Sequence, residues 1–178
     1  MTPTQERSTP PAAGDFAEAY TRYVERVPPG DVAATIRDQL GETLTLLRGV
    51  DPARTTSGYA PGKWSIRDIV LHMADTERVM SYRALRIARA DATPLASFDE
   101  NAWTPMAGAD ARSMESLLGE LEATRRSTVA MLEGLPAEAW SREGTASGKR
   151  VTVRALAWII AGHERHHLAI IRERYLNR

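Results

Sequence analysis

Trp64-Ser65-Ile66-Arg67-Asp68-Ile69 spells out a helix start. Ser65 can cap the first free N–H groups. Asp68, three residues on, can return a bond to the cap as an acidic variant of the capping box. Trp64 and Ile69 stand at the two ends of a hydrophobic staple. From this point apolar residues recur at helical spacing to about Arg89.

The same punctuation recurs along the chain. A short helical piece over Phe16–Val27 ends at Pro28-Pro29-Gly30. Asp31 then caps a helix that runs to about Arg48, with Gly49 at its end and Pro52 beyond. A third long helix spans about Ser113 to Glu133 and stops at Gly134-Leu135-Pro136. A fourth starts at a Thr152 cap and reaches the C-terminus. Residues 90–112 carry prolines and no helical period, which makes them a long connection. Residues 141–150 read as a polar turn. No segment alternates cleanly enough to be a strand. The expected fold is all-α: a four-helix bundle with a long crossover between helices two and three. Residues 1–14 are polar and Pro-rich and read as a disordered leader. Residues 15–178 are then a single domain.

Composition narrows the chemistry. Lys plus Arg is 23 and Asp plus Glu is 23, so net charge offers no attraction to nucleic acid or an anionic membrane. No apolar run reaches membrane-span length, and no signal segment is visible, so the expected location is cytoplasmic. Without cysteine there is no disulfide, thiolate metal site or cysteine nucleophile. Any metal ligands must be His, Asp or Glu.

Three of the four histidines fall in Gly162-His163-Glu164-Arg165-His166-His167. On a helix turning about 100° per residue, Leu156, Ile160 and Ile170 lie on the same face as His163 and His167. His72 sits likewise among the apolar residues of helix two, with Ile69 and Ile87. Three imidazoles thus project from two helices towards one core. Buried without partners they are costly, and one divalent cation can satisfy all three. His163 and His167, spaced i,i+4, can share an ion. His72 is the natural third ligand, and three neutral ligands leave an open coordination position, as catalytic sites do. His166 lies at the margin of the stripe and is not expected to ligate.

Two other metal motifs fit less well. His163-Glu164-Arg165-His166-His167 matches the H-E-x-x-H of zinc proteases, but only eleven residues follow His167, too few for a further downstream ligand. Glu164 and His167 form one E-x-x-H step, whereas a carboxylate-bridged di-iron bundle needs two.

Other residues have weaker roles. Glu164 and Asp75 are candidate bases beside the metal. Thr76 and Arg83 share the His72 face and are candidate substrate contacts. Arg83 could clamp an anionic substrate, or pair with the Asp99-Glu100 stretch. Trp64, Trp103, Trp140 and Trp158 read as core or loop anchors. Arg125-Arg126 and Arg172–Arg174 read as exposed, solvated faces or interaction surfaces.

The segments "YAPGKWSIRDIVLHMADTERVMSYRALRIARAD", "FDENAW" and "VRALAWIIAGHERHHLAIIRERY" closely resemble the DinB-like superfamily, including its YfiT-like members, over about residues 15–178. The resemblance implies a four-helix bundle with a crossover after helix two. It implies one divalent ion (Zn, Ni or Fe) held by His72, His163 and His167. Some relatives are thiol S-transferases using a low-molecular-weight thiol, others isomerases or hydrolases. The expected function is therefore a metal-dependent S-transferase or hydrolase acting on a small electrophile, in a chain that pairs as a homodimer. The alternative is a non-catalytic metal-binding or stress-response bundle acting through a protein partner.

Overall fold

The computed structural model describes residues 1–177. Four long helices form the body: α3 (Val32–Arg48), α4 (Ile66–Ala88), α6 (Met114–Glu133) and α7 (Val153–Ile171). Shorter pieces surround them: α1 (Pro3–Ser8), α2 (Thr21–Val24), α5 (Glu100–Trp103), and a hairpin of β1 (Glu143–Ala146) and β2 (Lys149–Thr152). A π-helical turn, Arg172–Leu176, continues α7.

The expected caps are formed. Asp31 accepts from the amides of Ala33 and Ala34. Ser65 accepts from Asp68 N while Asp68 returns to Ser65 N, completing the capping box. Ser113 and Thr152 cap α6 and α7. Each satisfies amides that the first helical turn leaves free.

Two apolar clusters fill the bundle. One contains Ile36, Met80, Ile87, Leu132, Trp140 and Leu156; the other contains Leu47, Ile66, Val70, Leu117, Leu121 and Ile171. Helices α3 and α7 enter the first cluster and leave through the second. Helices α4 and α6 run the other way, so α4 and α6 are parallel. A 23-residue helix is about 35 Å long at 1.5 Å per residue. The chain must retrace that length before α6 can begin, which explains the long crossover. Between the clusters every long helix contributes buried polar residues: Gln39 and Thr43, His72 and Glu77, Thr124 and Arg125, His163 and His167. The core therefore has a polar waist.

One expectation needs correction. Residues 141–150 are not a bare polar turn. β1 and β2 pair antiparallel, from Glu143 opposite Thr152 to Ala146 opposite Lys149. Ser147 (φ 53°) and Gly148 (φ 71°) both adopt positive φ, as the favoured two-residue hairpin turn requires. Leu95 of the crossover bonds to this hairpin, donating to Thr145 O and accepting from Ser147 N. Residues 1–14 precede the bundle. They include α1, which begins with a Thr2–Gln5 capping box. Ion pairs of Arg7 with Asp31 and of Glu6 with Arg154 dock α1 on the bundle.

Among the described residues, no helix is long and apolar enough to cross a membrane.

Candidate metal centre

His72 of α4 meets His163 and His167 of α7 inside the waist. His163 Nε2 lies 3.0 Å from His72 Nε2 and 3.0 Å from His167 Nε2. All three side chains are buried. The i,i+4 spacing stacks the α7 pair, and contact between α4 and α7 brings the third ring.

The donor set fits a divalent ion. A neutral imidazole nitrogen carries either one proton or one lone pair. His163 Nε2 can therefore satisfy only one of the two nitrogens that face it. Three nitrogens about a common centre, each about 2.0–2.1 Å from it, would stand roughly 3 Å apart. Burial also keeps the rings neutral, as ligands must be. It pushes His72 down to about 4 and holds His163 and His167 well below the ordinary histidine value. Among the described residues, no carboxylate joins the cluster.

Neighbouring side chains hold the rings. Thr76 Oγ1 lies 3.4 Å from His72 Nδ1. The Trp64 ring packs on His72 at 4.7 Å between centroids. Tyr23 meets His163 and His166 edge-on at 5.3 Å. This contact depends on Gly162, where a Cβ would come within 1.9 Å of Tyr23 O. His166 is half-buried and outside the cluster.

Cavities reach the histidines from two sides. One of about 230 Å³ is lined by Tyr20, Tyr23, His72, Thr76, Phe98 and His163. The other, about 480 Å³, is lined by Tyr59, Lys63, Trp64, Asn101, His167 and Tyr175. Arg22 lines both.

The remaining candidate residues lie elsewhere or are engaged. Glu164 accepts hydrogen bonds from Thr43 (2.6 Å) and Gln39 and pairs with Arg125 at 2.8 Å. Both its oxygens are held inside the bundle, which speaks against a role as base. Asp75 pairs with Arg78 (3.1 Å) and lines a separate groove of about 590 Å³ together with Arg83, Phe98 and Trp103. Burial raises the Asp75 pKa. Arg83 does not pair with Asp99 or Glu100. It donates to Ala96 O and Ser147 Oγ and faces the Phe98 ring, tying crossover and hairpin to α4. Of the weaker candidates, Thr76 alone lines a cavity with the histidines.

Sequence reasoning missed the waist's charge network. Arg125, expected on an exposed face, is 1 % exposed. It donates to both oxygens of Glu77 and to Ile36 O and pairs with Glu164. The signal was present: Arg125 falls one turn after Leu121 and one before Val129, inside the apolar stripe of α6.

The model of the DinB superfamily matches residues 35–171. Over 140 residues the chain is 29 % identical to a protein of Oceanobacillus iheyensis named "Putative metal-dependent hydrolase", a stretch covering 78 % of each chain. Its fold matches YfiT from Bacillus subtilis, described as a probable metal-dependent hydrolase with an unusual four-helix bundle topology. The TM-score is 0.71 at 18 % identity, covering 94 % of this chain and 91 % of YfiT. It also matches the mycothiol-dependent maleylpyruvate isomerase, with a TM-score of 0.65 at 18 % identity, over 82 % of this chain and 61 % of that one. At such identity the two structures speak to the fold alone. The family match spans most of the chain and includes all three clustered histidines: the protein belongs to the DinB superfamily.

Proposed function

We propose that this chain is a metal-dependent enzyme in which His72, His163 and His167 hold one divalent ion and a small electrophile is attacked by water or a low-molecular-weight thiol. The observation that carries this reading is the approach of three buried imidazole nitrogens to one point, with no fourth protein ligand among the described residues. A bound divalent ion supplies Lewis acidity there, lowering the pKa of a coordinated water or thiol towards neutrality.

The chain's own residues prepare the site. Thr76 and Trp64 orient the His72 ring, and Tyr23 walls in His163. Apolar clusters lie above and below the waist, and two cavities open beside the histidines. Those cavities bring small molecules to the histidines, which favours catalysis over a purely structural ion. The relative named for metal-dependent hydrolysis supports the water branch. The mycothiol-dependent isomerase is alike in fold alone, and its name is the reason a thiol is tested beside water.

The test starts from tag-free protein. Elemental analysis should find about one divalent ion per chain. Protein loaded with Zn, Ni, Mn or Fe is then offered an activated ester alone, and a chloro-dinitroarene with glutathione, mycothiol or bacillithiol. Turnover in either arm that disappears in His163→Ala is the expected result. Absence of a stoichiometric ion, or no turnover with any loading, overturns the proposal.

A further inference from the structure

The cavity of about 480 Å³ beside His167 carries net positive charge. Arg22 and Lys63 line it, and no Asp or Glu does. The chain as a whole balances 23 cations against 23 anions, so two cations without an acid are a local excess. The ion pairs among the described residues leave out both Arg22 and Lys63, although they engage many other arginines. The cavity on the other side of the histidines differs. Arg22 lines it too, but there Glu100 supplies a carboxylate.

Arg22 is placed by the fold. Its guanidinium carbon lies 4.9 Å from the centre of the Tyr23 ring, which itself packs against His163. The Tyr23 backbone presses onto α7 where Gly162 has no side chain. Tyr59, Trp64 and Ile170 give the same cavity an apolar wall. A ligand suited to this shape has an apolar body and one negative end. Residues 20–24 also precede the stretch that the family model matches. The cationic wall is therefore partly supplied by a segment outside it.

We propose that this cavity receives the anionic end of the substrate, a small organic carboxylate whose apolar body lies against Trp64 and Tyr59 and whose charge faces Arg22 and Lys63. This names the substrate class for the centre proposed above and rests on that reading. Arg22 is on this account a specificity-determining residue.

Binding, read by isothermal titration on the full chain, tests it with phenylacetate and its neutral counterpart phenylacetamide. In metal-free protein phenylacetate should bind about tenfold more tightly than the amide. That preference should shrink with added salt. It should vanish in the Arg22→Gln/Lys63→Gln double variant, whose changes are at exposed positions and whose melting temperature is checked against wild type. Equal binding of the two probes, no binding of phenylacetate, or an unchanged preference in the double variant overturns the proposal. A preference seen only after metal loading, and indifferent to both substitutions, places the carboxylate on the ion; it overturns this assignment and leaves the metal centre standing. A preference in metal-free protein that the double variant loses, in a chain that retains no ion, sustains the anion site and removes the metal centre.

Discussion

The Arg125 guanidinium lies 2.8 Å from Glu164 Oε2, with each side chain 2 % exposed. Arg125 also grips Glu77 of α4, at 2.8 Å from Oε2. One cation on α6 thereby links the two helices that carry the histidine cluster. Burial alone would lower the Arg125 pKa, but Glu164 and Glu77 outweigh it and raise the value.

Removing that cation should be damaging. Arg125→Met leaves two carboxylates buried without their partner, and breaking such pairs costs about 3–5 kcal/mol. Urea unfolding should show a loss of that order. Adding Glu77→Gln and Glu164→Gln should restore much of it, because the uncompensated charges are gone. A triple variant no more stable than the single one would show that the loss comes from packing.

The histidines should divide cleanly in metal affinity. Loss of an outer partner usually shifts affinity by about 10–100-fold, so loss of a ligand should exceed about a hundredfold. His72→Ala, His163→Ala and His167→Ala should each do so in competition titrations with a chelator. His166→Ala should keep wild-type affinity, since His166 stands outside the cluster. Uptake that survives His72→Ala would break the three-ligand arrangement.

Acid should destabilise the metal-free protein through the same rings. In the folded chain burial holds His72 at about 4, and His163 and His167 well below the ordinary value. In the unfolded chain they titrate near pH 6.5, taking up protons that the folded chain refuses. The stabilising effect is thus complete above about pH 6.5 and is lost as pH falls towards the folded values. The slope is up to about 1.4 kcal/mol per pH unit for each histidine. Unfolding midpoints should fall between about pH 7 and pH 5. A flat profile over that range contradicts the buried, neutral assignment.

Gly162→Ala should disturb the N-terminal segment first. The new methyl would occupy the space of Tyr23 O, 1.9 Å away, and backbone must move to relieve it. Overpacking of this kind costs about 1–3 kcal/mol. Hydrogen exchange should accelerate in Thr21–Val24 more than in α7. Uniform acceleration through α7 would mean that the helix, not its contact, had failed.

Much of the scaffold was legible because its signals are local. The Ser65–Asp68 box, the Asp31 cap and the Thr152 cap each act within one helical turn. The histidine cluster was legible for a related reason: helical period alone puts His72, His163 and His167 among apolar neighbours. The hairpin was not. Its strands have four residues each, and their pairing draws on the Ser147-Gly148 turn and on Leu95, about fifty residues earlier in the chain.

The chain's own order of residues determined where helices begin, where they end and which face of each is greasy, since those preferences arise from neighbours within a turn or two. Only the tertiary structure decided which two acids would flank Arg125, that α1 would dock, and that Arg22 and Lys63 would share a cavity. Each of these depends on groups far apart in sequence reaching one level of the bundle. Their energies come from desolvation and charge pairing, which no local pattern encodes.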